Sequence, residues 1–330
     1  MTLLLSNSDV EQALTREDAM ASTENMYRDL AEGKALTRAR SQIYLPEESK
    51  EHPGFTYRFK SQEGGGARCG VWALRVTSDM SGLSYAQGIK RRKLLPVATG
   101  NKYCGLVILF DIEKIEPVAI MPDGYIQKMR VAALSCVAAK RLAPAKPRIL
   151  GLLGSGGQAG AHLEFLCHTF AFEQVKVYSP NPEHCRDFCQ GMSQQLERSV
   201  QPVGSAKEAV VGSDFVQAAT AAFEPVFDGH WVEKGMYVGC IVGETQRREL
   251  DDEAVRRADV YIVHSKEVGM AERSPALWDI VQKGIKKPRK CTTCRICWRA
   301  KSRAAPGPTR SPCSTTTPAR ESSLPRWAQR

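Results

Sequence analysis

Apolar and polar positions in the second half of the chain alternate between short runs typical of strands and longer stretches with helical spacing. Residues 147–170 contain a short apolar strand, a glycine-rich turn and a helix, and residues 175–179 form a second strand before another helix. Further apolar runs typical of strands lie at residues 214–220, 235–243 and 258–265. Strands that alternate with helices predict an α/β fold with a doubly wound, parallel Rossmann sheet.

The first half of the chain follows a different pattern. Residues 9–32 place apolar side chains at helical spacing, and Gly33 is a suitable stop for that helix. Residues 53–85 favour two strands around a loop, EGGGAR, and residues 104–124 favour two more strands joined by a turn. Residues 126–143 are rich in alanine and predict a long helix before the Rossmann sheet.

These patterns divide the chain into three parts. We predict an α+β domain over residues 1–130 and a Rossmann domain over residues 131–290. Residues 291–330 contain many Arg, Ser, Thr and Pro but few apolar residues, so we predict that this tail is disordered.

The turn after the first Rossmann strand fits the pattern G-x-G-x-x-A. It comprises Gly154, Ser155, Gly156, Gln158 and Ala159, together with the intervening glycine. The first glycine permits the tight turn, the second lets the backbone approach a diphosphate, and the small third residue lets helix and strand pack closely. Because the turn lies inside a strand–turn–helix unit, it predicts a dinucleotide cofactor held at the helix N-terminus.

The end of the second strand decides between NAD and NADP in such folds. An NAD enzyme usually has an acidic residue there that binds the ribose hydroxyls. This chain has the sequence Tyr-Ser-Pro-Asn at residues 178–181, and Ser179 and Asn181 could donate to either a hydroxyl or a phosphate. We therefore predict NAD or NADP as the cofactor and leave the choice open.

Charge and composition exclude several classes of partner. The formal net charge is +10, but residues 291–330 hold eight Lys or Arg and a single Glu, so most of the positive excess belongs to the tail. The sequence has no apolar run of the roughly 20 residues that span a bilayer. The eleven cysteines are scattered, and the N-terminus does not resemble a signal peptide. We predict a cytoplasmic protein without nucleic-acid or membrane partners and without a metal site.

Three arginines stand at the end or in the middle of apolar segments: Arg40, Arg75 and Arg130. A guanidinium group binds a carboxylate through two parallel hydrogen bonds, so these residues could hold an acidic substrate. Arg130 is the sharpest candidate because its predicted helix is otherwise rich in Ala, Val and Leu. The alternative for all three residues is an ordinary exposed arginine.

Several segments resemble the ornithine cyclodeaminase/mu-crystallin family in order and spacing over about residues 10–290. They are MPDGYIQKMRVAALSCVAAKRLA, ILGLLGSGGQA, VKVYSPNPEHCRDF, DFVQAAT and RELDDEAVRRADVYIV. The resemblance implies a first domain that binds substrate and forms a homodimer, next to a Rossmann domain. It also implies hydride transfer at the Cα of a small amino or imino acid.

The family's functional residues can be placed one by one by this resemblance. Its two carboxylate-binding arginines fall on Arg40 and Arg130, and its active-site lysine falls on Arg75, so that lysine is replaced. Its acidic residue for proton transfer falls on Glu244, and the threonine near the nicotinamide falls on Thr220. Replacing lysine by arginine at position 75 retains a positive charge but removes a group that can titrate near neutral pH.

Three functions are compatible with the resemblance. The first is an ornithine cyclodeaminase, a lyase that forms proline and ammonia with a catalytic amount of cofactor. The second is an NAD(P)H-dependent imine or ketimine reductase or amino-acid dehydrogenase, which the arginine at position 75 favours. The third is a non-catalytic protein that binds NADPH or another small ligand, like the crystallin members of the family.

The stretch CTTCRICW at residues 291–298 has the spacing of a metal-ligand set. Another explanation accounts for the whole tail. With permitted codons, a second reading frame of residues 294–328 encodes PDLLAGKEPGRT and TLFNNNTGEG, which resemble the family's usual ending. We therefore expect a frameshift close to Lys290, no metal at these cysteines, and low activity for this exact chain.

Overall fold

The computed structural model describes residues 1–95, 97–98, 102–103, 105–241, 247–287 and 291–293. The first half contains β1 (Leu3–Leu4), α1 (Asn7–Ala13), α2 (Arg16–Glu32), β2 (Ala35–Thr37), β3 (Ser41–Glu48), β4 (Phe55–Gly66), β5 (Val71–Ala86), β6 (Ile89–Leu95), β7 (Val97–Ala98), β8 (Lys102–Tyr103), β9 (Gly105–Asp111), β10 (Glu116–Pro122) and α3 (Gly124–Leu142). All of these strands except the β7–β8 pair join one mixed sheet, with the order β1-β10-β9-β5-β4-β2 and with β3 and β6 on β4 and β5.

The second half forms a parallel five-stranded sheet with helices between its strands. Its elements are β11 (Ile149–Leu153), α4 (Gly157–Thr169), β12 (Gln174–Tyr178), α5 (Pro182–Leu196), β13 (Val200–Pro202), α6 (Ala206–Val210), β14 (Phe215–Ala218), a 3₁₀ turn (Gly229–Trp231), β15 (Tyr237–Gly239), α7 (Asp252–Arg257), β16 (Tyr261–Val263), α8 (Lys266–Ala271) and α9 (Trp278–Gln282). The order β13-β12-β11-β14-β15 confirms the predicted Rossmann sheet. Strand β16 lies outside it.

The main core lies between the parallel sheet and the helices α3 and α4. Leu150, Leu163, Leu166 and Ala133 are fully buried there, and α3 contacts both α2 and α4. The predicted domain boundary at residues 130 and 131 falls inside α3. This helix therefore links the two sheets and carries Arg130 at their junction.

The two faces of the first sheet differ in character. The strand register places Ile43, Phe59, Trp72 and Leu106 on one face, where all four side chains are at least 36% exposed. The opposite face carries a polar row along β4 and β5 that includes Arg75. One face is thus apolar and uncovered in the single chain, and the other faces the site described below.

The predicted single helix over residues 9–32 is two helices in the structure. The break lies at Thr15, whose hydroxyl accepts a hydrogen bond from the backbone N–H of Asp18 at 3.1 Å and so caps α2. The prediction overlooked this capping threonine because apolar residues recur at helical spacing on both sides of it. Gly33 ends α2 with φ +73°, as predicted.

The predicted loop EGGGAR is largely strand. Gly64, Gly65 and Gly66 belong to β4 and pair with both β2 and β5. A Cβ on Gly65 would lie 2.5 Å from the carbonyl oxygen of Val71. The glycines therefore allow close approach of neighbouring strands and do not mark a turn.

The start of the C-terminal tail also differs from the prediction. Cys291–Thr293 form a short strand, β17, which pairs in parallel with β16, so the prediction of disorder does not hold for these three residues. Strand β16 offers backbone groups that such a partner satisfies. Cys294 and Cys297 lie outside the described residues. No helix within the described ranges is long and apolar enough to cross a membrane.

Candidate active site

The glycine-rich turn after β11 has two glycines with different structural roles. Gly154 has φ +112°, and a Cβ there would lie 2.4 Å from the carbonyl oxygen of Ala219. Gly156 is the N-cap of α4, and an added Cβ would meet no protein atom within 4 Å. Ala159 is fully buried on the same helix. Open space at the α4 N-terminus fits a dinucleotide diphosphate.

The neighbouring turn after β12 contacts this glycine-rich turn through a histidine. His184 Nδ1 lies 2.8 Å from Ser155 Oγ, and the backbone N–H of His184 donates to Asn181 Oδ1 at 3.1 Å. Asn181 therefore caps α5 with its oxygen and leaves its amide N–H groups for a ligand. Ser179 lines the same cleft.

Thr220, at the carboxyl end of β14, is held by a buried acid. Its backbone N–H and its hydroxyl donate to Glu249 Oε1 at 2.6 and 2.8 Å, and the backbone N–H of Ile241 donates to Glu249 Oε2 at 2.9 Å. Burial raises the pKa of Glu249. Glu249 thus fixes the ends of β14 and β15 beside the turn, and the Thr220 hydroxyl is already engaged within the protein.

All three predicted arginines lie at one end of the cleft. Arg40 forms an ion pair with Glu272, with Nη2 and Oε2 2.7 Å apart. Arg75 forms an ion pair with Asp123, with Nη2 and Oδ2 2.6 Å apart. Arg130 lines the cleft and forms no ion pair with a described residue. It is therefore the cation best placed to meet an acidic ligand.

The three arginines lie close enough together for their charges to interact. Desolvation by the walls of the cleft and the charges of Arg75 and Arg40 lower the pKa of the Arg130 guanidinium to about 10. Desolvation within the cleft, with Arg40 and Arg130 nearby, also lowers the pKa of the His264 imidazole. Arg130 remains charged at neutral pH, so an anion such as a carboxylate would relieve its repulsion with the neighbouring arginines.

A second, buried charge cluster supports this end of the first sheet. Asp79 accepts from Arg58 Nε at 2.7 Å and lies 2.9 Å from Lys60 Nζ, and all three side chains are buried. Desolvation and the Arg58 charge lower the pKa of Lys60 to about 8 against the attraction of Asp79. Arg40 also lowers this pKa, so the cluster lies close to the predicted substrate site.

One cleft of about 1890 Å³ joins the glycine-rich turn to the arginines. Its lining includes Gly156, Ser179, Thr220, Arg75 and Arg130. This volume exceeds that of a typical small-molecule pocket, so a dinucleotide and a small acid fit side by side. The structure therefore brings together the predicted substrate and cofactor residues.

Glu244, the predicted acid for proton transfer, lies outside the described residues. Three acids and a histidine of the site escaped the sequence analysis: Asp123, Glu249, Glu272 and His264. Asp123 and Glu272 lie far along the chain from their arginine partners, and only the fold brings these pairs together. No group of three or more His, Cys, Asp or Glu side chains within the described ranges could hold a metal ion.

Comparison with known proteins identifies a family and several relatives that this chain resembles. The model of the ornithine cyclodeaminase/mu-crystallin family matches residues 2–274. Ketimine reductase mu-crystallin of Mus musculus is 33% identical over 172 residues, which are 52% of this chain and 53% of that protein. Delta(1)-pyrroline-2-carboxylate reductase of Bacillus cereus is 28% identical over 198 residues, 57% of this chain and 61% of that protein. The chain thus spans about half the length of the curated relatives that it matches.

A solved structure covers more of the chain. Delta(1)-pyrroline-2-carboxylate reductase of Thermococcus litoralis, in complex with NADH and L-proline, has a TM-score of 0.76 and 28% sequence identity. The likeness covers 91% of this chain and 87% of that one. Its ligands agree with the predicted classes of cofactor and substrate. From the family match over most of its residues, this chain belongs to the ornithine cyclodeaminase/mu-crystallin family.

Proposed function

We propose that this protein is an NAD(P)H-dependent reductase of small imino acids. The reaction converts a C=N bond next to a carboxylate into an amine. The observation that carries the proposal is the shared cleft, in which an arginine cluster and a dinucleotide turn meet. Relatives named as ketimine and pyrroline-2-carboxylate reductases support the same chemistry.

The residues of the cleft have distinct roles in this proposal. Arg130, with Arg40 beside it, binds the substrate carboxylate, and the Arg75–Asp123 pair fixes the floor of the site. The nicotinamide, when bound, supplies the hydride that reduces the imine carbon. The glycine-rich turn and Thr220 position the dinucleotide next to the arginines. Glu244 remains the predicted proton donor.

Cyclodeamination of ornithine is the alternative hypothesis. It requires oxidation of the amino acid, attack by the side-chain amine and return of the hydride. Arg75 replaces the family's lysine and is held by the buried Asp123, so this position supplies a fixed charge and no proton shuttle. That arrangement favours a reductase over a cyclodeaminase.

A substrate panel separates these functions. Because low activity is expected of the chain with its present tail, protein with the ending restored from the second reading frame is used. It is mixed with NADH or NADPH and Δ1-pyrroline-2-carboxylate, or with a keto acid plus an amine, and loss of absorbance at about 340 nm is followed. The proposal predicts stoichiometric loss of NAD(P)H. Proline formation from ornithine with catalytic NAD would favour the cyclodeaminase, and cofactor binding without turnover would favour a crystallin-type binder.

We also propose that the chain forms a homodimer through the first sheet. Its exposed face carries Ile43, Phe59, Trp72 and Leu106, and such a contiguous apolar face favours association. Sedimentation of the purified protein should give twice the mass of the chain. Replacement of Ile43 and Phe59 by Lys should shift the mass to that of a monomer.

A further inference from the structure

A hairpin of the first sheet reaches beyond the sheet. Strand β5 pairs with β9 only as far as Thr77 and with β4 only as far as Gly82. Beyond Gly82, β5 pairs with β6 around a two-residue turn, Gln87 and Gly88, in which both φ angles are positive. The tip of the hairpin is therefore a two-stranded projection from the sheet.

This tip is attached to the Rossmann unit. The N–H of Arg92 donates to the carbonyl of Ala221 at 3.1 Å, and the N–H of Phe223 donates to the carbonyl of Lys90 at 3.3 Å. The ammonium group of Lys90 also lies 5.2 Å from the centre of the Phe223 ring. These contacts form a short antiparallel pairing between the two units.

The attachment point is the place where a dinucleotide binds in this kind of fold. Strands β12 and β13 continue the sheet on one side of β11, and β14 and β15 continue it on the other, so the crevice opens between β11 and β14. Gly154 at the end of β11 is in contact with Ala219 at the end of β14. The hairpin pairs with Ala221 and Phe223, which lie two and four positions beyond Ala219.

The hairpin brings positive charge to this crevice. Arg91 and Arg92 both line the cleft that contains the glycine-rich turn. Arg91 is exposed, and its guanidinium forms no ion pair with any residue that the structure describes. The glycine-rich turn itself offers backbone N–H groups but no cation, so the negative charge of a diphosphate lacks a counter-ion there.

We propose that Arg91, supported by Arg92, binds the phosphate on the nicotinamide side of the dinucleotide. The position beyond β14 favours that half of the cofactor, because the adenosine half lies toward β12. Cofactor binding then bridges the two units and strengthens the pairing of the hairpin with Ala221–Phe223. The inference rests on the proposed dinucleotide cofactor and makes no assumption about the imine substrate.

The test compares three ligands on the full chain without any substrate. NADH binding is followed by its fluorescence, and ADP-ribose and AMP are measured by displacement. Arg91→Ala should weaken binding of NADH and ADP-ribose by about tenfold, the loss of one charge-assisted contact, and should leave AMP unchanged. Lys93→Ala, which removes the same charge from the same exposed hairpin strand, is the control and should change none of them.

Three outcomes would overturn the proposal. They are unchanged NADH binding, equal weakening of AMP and ADP-ribose, and weaker binding of a carboxylate ligand alone, which would assign Arg91 to the substrate. Hydrogen exchange of the unmodified protein is a second test that needs no variant. ADP-ribose should slow exchange of the amides of Arg92 and Phe223, whereas unchanged exchange there would contradict the bridge.

Discussion

The guanidinium of Arg75 is fixed by the carboxylate of Asp123, with Nη2 and Nε at 2.6 and 2.8 Å from the same oxygen, Oδ2. Asp123 is fully buried and immediately precedes α3, the helix that carries Arg130. A single ion pair therefore joins β5 of the first sheet to the helix at the junction of the two units. It also holds one cation of the site in a defined orientation.

Replacement of Asp123 by Asn should destabilise the protein by about 3 kcal/mol, because it leaves the charge of Arg75 without its buried counter-ion. The free energy of unfolding in urea measures this loss. Glu173→Gln is the matched control, since the Arg148–Glu173 pair lies on the surface and should contribute little. Equal effects of the two substitutions would show that Asp123 has no special structural role.

The sequence was sufficient for the parts of the site that are local in the chain. The strand, the glycine-rich turn and the helix at residues 149–169 follow one another directly, so their pattern predicted both the fold and the cofactor. Arg40, Arg75 and Arg130 were placed by their apolar surroundings and by family resemblance. The cleft contains all of them.

The acidic partners of Arg75 and Arg40 could not be predicted, because each lies many positions along the chain from its arginine. Asp123 follows Arg75 by 48 positions and Glu272 follows Arg40 by 232. Only sheet pairing and the crossing of the two units bring such residues together. The glycines of β4 were misjudged for a related reason, since close approach of β2 and β5 is a property of the folded sheet.

Arg130→Gln should weaken ligand binding without weakening the fold. Arg130 forms no ion pair with a described residue, and the neighbouring charges of Arg75 and Arg40 lower its pKa. Its removal should leave the free energy of unfolding unchanged or slightly higher, because like-charge repulsion is relieved. With NADH or NAD bound, affinity for L-proline should fall by about tenfold or more.

Lys140→Gln is the control for this prediction, since Lys140 is an exposed cation in the last turn of the same helix. It should alter neither ligand affinity nor stability appreciably. A large loss of stability in Arg130→Gln, with proline binding intact, would instead make Arg130 a structural residue.

His162 should make the stability of the protein depend on pH. It is fully buried on α4, its Nδ1 lies 2.7 Å from the carbonyl oxygen of Gln158, and its Nε2 lies 3.0 Å from Ser135 Oγ. Burial lowers its pKa to about 4. Between pH 6.5 and 4 the unfolded chain binds one more proton than the folded protein. The free energy of unfolding should therefore decrease by about 1.4 kcal/mol for each unit by which the pH is lowered.

Urea unfolding at several pH values measures this slope in the natural chain and in His162→Gln. The difference between the two proteins isolates the contribution of His162, since all other titrating groups are shared. Stability of the variant should vary less between pH 6.5 and 4. Identical slopes in the two proteins would mean that His162 binds its proton in the folded state without a loss of stability.

The two glycines of the dinucleotide turn should respond in opposite ways to the same substitution. In Gly154→Ala the new Cβ meets the backbone oxygen of Ala219 at 2.4 Å, and φ +112° is strained for alanine. Backbone cannot move away as a side chain can, so we expect a loss of about 2 kcal/mol or more. Gly156→Ala meets open space at an ordinary φ of −87°, and its stability should be nearly unchanged.

NADH affinity, in contrast to stability, should be affected by the substitution at Gly156. At Gly156 the added methyl group occupies the space at the α4 N-terminus that a diphosphate needs, so affinity for NADH should fall even though the protein is fully folded. Thermal unfolding and NADH fluorescence, measured on the same samples, separate folding from binding. Normal NADH affinity in a stable Gly156→Ala protein would place the diphosphate elsewhere in the cleft and remove the main structural support for the dinucleotide site.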